Sequence, residues 1–148
     1  MNAILIFIDG TICDTRHRHH LFGTPGFYNE NEIMKDLPTP GSVNCIKQLS
    51  QKYKIIYIGA RPDCYKNITK KWIDERGFPD GDVYLSESQS GRLEIAKRLG
   101  RQYNIIAGIG DRWDDNEIHL EIGCMSIILK EFEGNWDTVR KYTLKRQN

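Results

Sequence analysis

Residues 3–11 read Ala-Ile-Leu-Ile-Phe-Ile-Asp-Gly-Thr, and this stretch decides the fold of the chain. The first six residues are apolar and rich in β-branched side chains, which is typical of a strand buried on both faces. Asp9, Gly10 and Thr11 then end the run in a tight turn. The stretch therefore predicts a central strand of a parallel sheet, with helices covering both of its faces.

The rest of the chain alternates between further apolar runs and segments with helical spacing. The runs lie at 53–58, 83–85, 103–109 and 125–129. The helical segments lie at about 39–51, 63–77, 90–99 and 115–122, and from about 136 onward. Thr39 is expected to cap the first helix with Pro40 at its first position, and Gly100 to close the third. This alternation predicts an α/β fold, a three-layer α/β/α sandwich around a mostly parallel, five-stranded, Rossmann-like sheet.

Composition narrows the class of protein further. The 148 residues are 39% hydrophobic and 28% charged, with 21 Lys and Arg against 20 Asp and Glu, which excludes disordered and collagen-like chains. No apolar run approaches the roughly 20 residues of a membrane span, and the N-terminus lacks the pattern of a secretion signal. The four cysteines are scattered singly, which favours reduced thiols in a cytoplasmic protein. We expect a single domain over 1–148, with no membrane partner.

One segment departs from the alternation, a flap-like or cap-like insert at about 12–38. It shows no clean period and contains Gly23, Pro25, Gly26 and Pro38. An irregular segment of this length inside a compact domain is usually functional.

Acidic residues follow two of the predicted strands. Asp9 ends the first, and Asp111, Asp114 and Asp115 follow the run at 103–109. Ligands of open parallel sheets bind beyond the carboxyl ends of the strands. Several carboxylates there suit Mg²⁺ together with a phosphate, although Asp is also an ordinary turn and cap residue.

The joint pattern resembles the haloacid dehalogenase superfamily, whose members are mostly Mg²⁺-dependent phosphohydrolases. The strand ending in Asp9-Gly10-Thr11 matches the first motif of that family from its second Asp onward, and Gly110-Asp111 with the following acids matches the fourth. Gly59-Ala60-Arg61-Pro62 is similar to the second-motif region of phage and bacterial members, among them the 3′-phosphatase domain of phage polynucleotide kinases. The resemblance covers nearly the whole chain and implies a fold with a minimal cap.

The same resemblance shows three departures from the family pattern. Phe7 stands where the family has the carboxylate nucleophile that forms an aspartyl-phosphate. Gly59 stands where a Ser or Thr hydroxyl holds the transferring phosphoryl group, and Arg92, with Lys97 as its rival, stands for the third-motif Lys. Each change removes or alters a group that acts on charge in the transition state, so we expect phosphatase activity to be impaired.

The resemblance also implies roles for individual residues. Asp9 falls in the acid/base slot and Arg92 in the third-motif slot, which makes these two the catalytic candidates. Arg61 either contacts phosphate or pairs with one of the fourth-motif acids. The metal candidates are Asp9, Asp111, Asp114 and Asp115. The phosphate-binding candidates are Gly10, Thr11, Gly59, Ala60 and Arg61, with Arg16 and Arg18 from the insert.

These expectations lead to one function and two alternatives. The first is a Mg²⁺- and phosphate-binding protein of phosphatase fold that recognises a phosphate ester, a nucleotide or a nucleic-acid end. The alternatives are an active phosphatase that uses metal-activated water, and a scaffold for a protein partner. Phe22, Phe27 and Tyr28 in the insert either stack on a base or pack the insert onto the domain.

Overall fold

The computed structural model describes residues 1–144 and confirms the α/β prediction. In chain order, the strands are β1 (Asn2–Phe7), β2 (Cys13–Asp14), β3 (Leu37–Pro38), β4 (Lys54–Gly59), β5 (Asp82–Leu85), β6 (Asn104–Gly110) and β7 (Met125–Ile128). The main sheet has the order β5-β4-β1-β6-β7, and all four of its strand pairs are parallel. The predicted central strand, β1, is therefore the middle strand.

Helices cover both faces of this sheet. They are α1 (Glu30–Met34), α2 (Ser42–Ser50), α3 (Lys66–Glu75), α4 (Gln89–Gln102), α5 (Trp113–Ile122) and α6 (Trp136–Thr143). Successive side chains of a strand point to opposite faces. Ile4 and Ile6 of β1 accordingly pack in the cluster that includes α2, α3 and α6, and Leu5 and Phe7 pack in the cluster of α4 and α5. The result is the predicted three-layer sandwich.

The insert is more ordered than its sequence suggests. It contains the short helix α1, two 3₁₀ helices at Arg16–Leu21 and Pro25–Tyr28, and the antiparallel pair of β2 and β3 at its base. Thr39 closes this base, because its hydroxyl donates a hydrogen bond of 2.7 Å to the carbonyl of Thr11. The insert therefore leaves and re-enters the domain at nearly the same point.

Two predicted helix ends are wrong. The hydroxyl of Thr39 bonds Thr11 and not the helix, so α2 starts after Gly41, whose φ of +81° allows the turn. Gly100 does not end α4, which continues to Gln102. In addition, α5 begins at Trp113, two residues before the prediction, because the carboxylate of Asp115 accepts backbone N–H groups at its first turn.

None of the helices within residues 1–144 has the length and apolar content that a bilayer span requires.

Trp72 of α3 contacts both the core and the insert, so replacing it tests the packing between them. It is fully buried, its ring centroid lies 5.5 Å from that of Phe78, and its indole N–H donates to the Asp36 carbonyl at 2.9 Å. We expect Trp72→Ala to lower the free energy of unfolding by about 3–5 kcal/mol. Trp113→Ala, at a side chain 71% exposed, should change it by less than about 0.5 kcal/mol. Urea unfolding of both variants checks this, and equal losses would contradict the packing described.

Candidate functional site

The turn after β1 forms the floor of the site. The carbonyl of Ile8 accepts three backbone N–H groups, from Thr11, Ile12 and Cys13, at 3.0–3.2 Å. Gly10 has a φ of +86°, and a Cβ at this position would collide with the carboxylate of Asp111. Only glycine meets both demands. The turn after β1 thus packs directly against the end of β6, as the two matched motifs predict.

Asp111, at the end of β6, carries a carboxyl group with an unusual environment. Its Oδ1 accepts a hydrogen bond of 2.9 Å from the Thr11 hydroxyl. Its Oδ2 is buried and has no hydrogen-bond partner among residues 1–144. Burial raises the pKa of Asp111 to about 7, and the nearby charge of Asp115 acts in the same direction. This carboxyl group therefore changes its charge near neutral pH.

Asp115 serves the first turn of α5. Its Oδ2 accepts the backbone N–H groups of Asp111 and Arg112 at 3.0 and 3.2 Å. Burial raises the pKa of Asp115, and these two hydrogen bonds oppose the rise. Asp114 is partly exposed. The fourth-motif acids therefore lie at the predicted strand end, but Asp115 is engaged as a helix cap.

Arg61, which follows β4, binds the predicted acid/base residue. Its Nη2 and Nε donate to the two carboxylate oxygens of Asp9 at 2.7 and 3.1 Å, and its Nη1 donates to Thr69 at 2.9 Å. Arg61 is fully buried. Burial alone would raise the pKa of Asp9, but the charge and hydrogen bonds of Arg61 outweigh it and hold that pKa below its usual range. The predicted pairing of Arg61 with a fourth-motif acid is wrong, because its carboxylate partner is Asp9, at the end of the neighbouring strand β1.

A second buried pair joins the two ends of the insert. Arg18 donates to both carboxylate oxygens of Asp36 at 2.9 and 3.0 Å and to the Phe27 carbonyl at 2.7 Å. Asp36 also lies 3.6 Å from Arg61, and Arg18 lies 4.0 Å from Asp9. We call Asp9, Arg18, Asp36 and Arg61 the buried ion network, in which three side chains are fully buried and that of Asp9 is 31% exposed. It contains two positive and two negative charges.

Asp9, Cys13 and Asp36 place one potential metal-ligand atom each within 4.8 Å of one another. The two guanidinium groups of the buried ion network already neutralise both carboxylates. Burial raises the pKa of the Cys13 thiol well above its usual range, and metal binding requires the thiolate. A cation at this cluster would have to displace the arginines.

Two of the four predicted Mg²⁺ ligands are already engaged by other groups of the protein. Both oxygens of Asp9 are bound by Arg61, and Asp115 caps α5. Within residues 1–144, the one buried carboxylate oxygen without a hydrogen bond is Asp111 Oδ2. Mg²⁺ binds through one or two carboxylates supplemented by water and substrate phosphate, so such an ion would have to be held by Asp111 and the partly exposed Asp114.

Phe7, in the predicted nucleophile position, is part of the core. It is 4% exposed and packs against the apolar side chains of α4 and α5. Its ring meets the buried ring of His119 edge-on, with centroids 5.5 Å apart. Burial lowers the pKa of His119 to about 4, so this imidazole is neutral at pH 7, and its Nδ1 lies 2.8 Å from Ser126 Oγ.

Two neighbouring cavities with shared lining residues open at this edge of the sheet. The small cavity, about 40 Å³, is lined by Phe7, Ile8, Asp9, Gly59, Ala60, Arg92, Arg112 and Asp115. The second, which we call the cleft, has about 520 Å³ and shares Asp9, Ala60 and Arg112 with the small cavity. The insert lines the cleft with Thr15, His19, Phe22, Phe27 and Tyr28. The strand ends and loops line it with Asp9, Gly10, Ala60, Arg112, Glu131 and Phe132.

Another depression, of about 600 Å³, lies between α4 and α5 and is lined by residues such as Leu93, Glu117 and Leu120. It contains none of the residues that the sequence analysis singled out. The predicted residues Asp9, Gly10, Gly59, Ala60, Arg92 and Asp115 line the cleft or the small cavity, whereas Asp111, Asp114 and Arg61 line neither, and we place the candidate site at these two cavities.

The two arginines predicted from the insert lie in different environments. Arg16 is exposed and pairs with Asp14 at 2.6 Å, whereas Arg18 is buried in the ion network. Arg92 reaches the small cavity and donates to the carbonyls of Ser86 and Glu87.

Sequence reasoning missed three residues of the site. Asp36 is one of several acids in a polar insert, and its burial has no local signal. Arg112 stands inside the fourth motif, between Asp111 and Asp114, so its place in the sequence already indicated a position near the strand end. Phe132 lies in the loop after β7 and reaches the cleft only through the fold.

The fold is similar to that of haloacid dehalogenase-like phosphatases of known structure. The class C acid phosphatase from Bacillus anthracis matches with a TM-score of 0.70 and 20% identity, over 99% of this chain and 74% of that chain. A chain of the Pnkp1/Rnl/Hen1 complex matches with a TM-score of 0.69 and 19% identity, over 90% of this chain and 47% of that chain. This protein thus spans about half the length of that relative. The haloacid dehalogenase family enzyme bt-2542 from Bacteroides thetaiotaomicron, solved with magnesium and inorganic phosphate, matches with a TM-score of 0.60 and 12% identity, over 94% of this chain and 98% of that chain.

The family described as the LNS2 domain of PITM 1-3 matches residues 5–108, more than half of the chain, and the chain belongs to that family. No curated protein matches the chain.

The buried ion network predicts a large difference between two Arg→Lys substitutions. Arg61→Lys keeps the charge but loses the paired bonds to Asp9, and we expect a loss of about 3 kcal/mol in the free energy of unfolding. Arg16→Lys, at the exposed pair with Asp14, should cost less than about 1 kcal/mol. Urea unfolding at pH 7 measures both. Similar losses in the two variants would show that the network does not hold the fold.

The raised pKa of Asp111 predicts a pH-dependent stability. The folded state binds this proton more tightly than the unfolded chain, so the contribution to stability is complete below about pH 4 and is lost as the pH rises through about 7. Asp111→Asn should therefore raise Tm by a few degrees at pH 8 and leave it nearly unchanged at pH 4.

Asp114→Asn is the matched control for Asp111→Asn. It removes the same formal charge from the first turn of α5, where a carboxylate is favourable, so it should lower Tm slightly at pH 8. A gain of equal size in both variants would mean that net charge, and not the buried carboxyl group of Asp111, causes the effect. Thermal unfolding at the two pH values gives the comparison.

Proposed function

We propose that this domain binds an organic phosphate at the small cavity and the cleft, and that it does not hydrolyse the ester through an aspartyl-phosphate. One observation carries the proposal, the buried ring of Phe7 at the end of β1, where the family resemblance places the nucleophile. A phenyl ring cannot attack phosphorus. A site that has lost its nucleophile keeps the ability to bind if its charges still suit the ligand.

Arg112 provides the positive charge for such a ligand. Its side chain lines both cavities, and within residues 1–144 its guanidinium forms no ion pair. Arg92 lines the small cavity from the opposite helix, α4. Guanidinium groups bind phosphate oxygens strongly and directionally. The phosphoryl group would thus lie at the junction of the cavities, with the rest of the molecule in the cleft.

Asp9 supports binding over hydrolysis. A general acid has to carry a proton at the working pH, and the bond to Arg61 keeps the Asp9 carboxylate ionised. The same bond neutralises the charge that would otherwise repel a phosphate from the floor of the site. Asp9 therefore acts as part of the wall, beside Gly10, Gly59 and Ala60, which also line the cavities, whereas Thr11 is 2% exposed and lines neither.

The structural relatives agree with a phosphorylated ligand. They include an acid phosphatase and an enzyme solved with magnesium and inorganic phosphate. At 12% and 20% identity they support the ligand class through the fold alone.

Titration of the protein with inorganic phosphate, followed by amide chemical shifts in NMR spectra, tests binding. We expect shifts at Gly10, Ala60 and Arg112. Arg112→Ala should weaken binding about tenfold, the effect of losing one charge-assisted contact. Arg101→Ala, at an exposed position near the end of α4, removes the same charge and should leave binding unchanged. No shifts in the wild type, or equal weakening by both variants, would refute the proposed site.

Phosphate release from phenyl phosphate and from a 3′-phosphorylated oligonucleotide, with and without Mg²⁺, tests the absence of hydrolysis. We expect no release above that of the Asp111→Asn protein purified in the same way. Release by the wild type that disappears in Asp111→Asn would overturn this part of the proposal and favour an enzyme that activates water.

A further inference from the structure

We infer that the cleft selects phosphate monoesters whose organic part is a flat aromatic ring, with a nucleoside monophosphate as the biological form. This inference rests on the proposed function, since it assigns the organic part of the same ligand. The juxtaposition that carries it is a wall of aromatic side chains beside the free guanidinium of Arg112.

The lining of the cleft is rich in rings. Five of its eleven residues are aromatic or imidazole side chains, from both the insert and the loop after β7. Phe22 is 78% exposed at the rim, where its ring meets Phe27 edge-on with centroids 5.3 Å apart. Removing an apolar surface from water is favourable. A ligand that covers the exposed face of Phe22 therefore gains binding free energy from burying it.

The insert holds its aromatic residues in fixed positions. The ring of Tyr28 stacks on Tyr65, outside the insert, with centroids 4.8 Å apart and planes 20° from parallel. The guanidinium of Arg18, anchored in the buried ion network, lies 4.5 Å from the centroid of Phe27. Rings that are already ordered lose little entropy when a ligand binds, which favours affinity.

Phe132 forms the opposite wall in a strained backbone conformation. Its φ is +63°, and it is the one non-glycine residue with positive φ among residues 1–144. A bulky side chain rarely adopts this region, and such strain is concentrated at functional sites. The N–H of Phe132 donates to the Gly10 carbonyl at 2.8 Å, and its ring centroid lies 5.7 Å from that of His19. Phe132 therefore links the aromatic side of the cleft, through His19, to the turn at Gly10 that packs against Asp111.

Polar groups around the rings suit the edge of a heterocycle. The Thr15 hydroxyl and His19 Nε2 lie 2.8 Å apart at one side of the cleft, and Glu131 lines it as an acceptor. A base presents donors and acceptors at its edge and a π face above and below. The cleft volume, about 520 Å³, lies within the usual range for small-molecule sites.

Phenyl phosphate and cyclohexyl phosphate are a matched pair of probes, because they share a phosphate and a six-membered ring and differ in the π face. Dissociation constants for both, with inorganic phosphate as reference, come from the same NMR titration. We expect phenyl phosphate to bind about five times more tightly than cyclohexyl phosphate. Adenosine monophosphate should bind at least as tightly as phenyl phosphate.

Phe22→Leu and Phe132→Leu keep apolar bulk and remove the π face. Each should reduce the ratio between the two probes toward one without changing the affinity for inorganic phosphate. Phe22 is exposed, so its replacement leaves folding intact even if Phe132→Leu does not fold. Tyr142→Leu, at an exposed ring on α6, is the control and should keep the ratio.

The possible results separate this inference from the proposed function. Inorganic phosphate that binds while phenyl and cyclohexyl phosphate bind equally would overturn the inference and leave the proposed function standing. Tighter binding of glycerol 3-phosphate or of a short-chain diacylglycerol phosphate than of phenyl phosphate would overturn it in favour of a lipid-type ligand. No binding of any phosphate would refute the proposed function itself.

Discussion

Four charges inside the domain, those of Asp9, Arg18, Asp36 and Arg61, have to balance one another, and the arrangement of the site depends on that balance. A buried charge without a partner costs several kcal/mol, so none of the four side chains is free to move alone. Arg61 comes from the loop after β4, Asp9 from the turn after β1, and the other two from opposite ends of the insert. Charge balance therefore fixes the insert over the strand ends and creates the cleft.

The same balance decides which chemistry the site supports. The carboxylate that resembles the acid/base residue of the phosphatases is bound by a guanidinium, and Phe7 fills the position of the nucleophile. Among residues 1–144, the guanidinium groups that line the cavities without forming an ion pair are those of Arg112 and Arg92. A domain with phosphatase architecture is in this way suited to recognise a phosphate and to leave its ester intact, which is what we propose.

The fold was largely predictable because the apolar runs and helical spacings are local. One helix start differs because a side chain acts over a long distance in sequence: Thr39 bonds Thr11 and leaves Gly41 to begin α2. The acids of the site were predictable by position, since parallel strands end at one edge of the sheet. The other residues of the site were not predictable. Nothing near Asp36 in sequence indicates that it is buried between two arginines, and Phe132 reaches the cleft from the far end of the chain.

By itself, the sequence determined the class of fold, the order of its elements, and the absence of a carboxylate at position 7. Each of these depends only on residue types and their spacing. The tertiary structure alone decided which charges meet. Ion pairing depends on distances between side chains on separate loops, and burial sets how strongly each pair interacts. That is why the sequence left the partner of Arg61 open, and why the structure assigns it to Asp9 and leaves Arg112 facing the cleft.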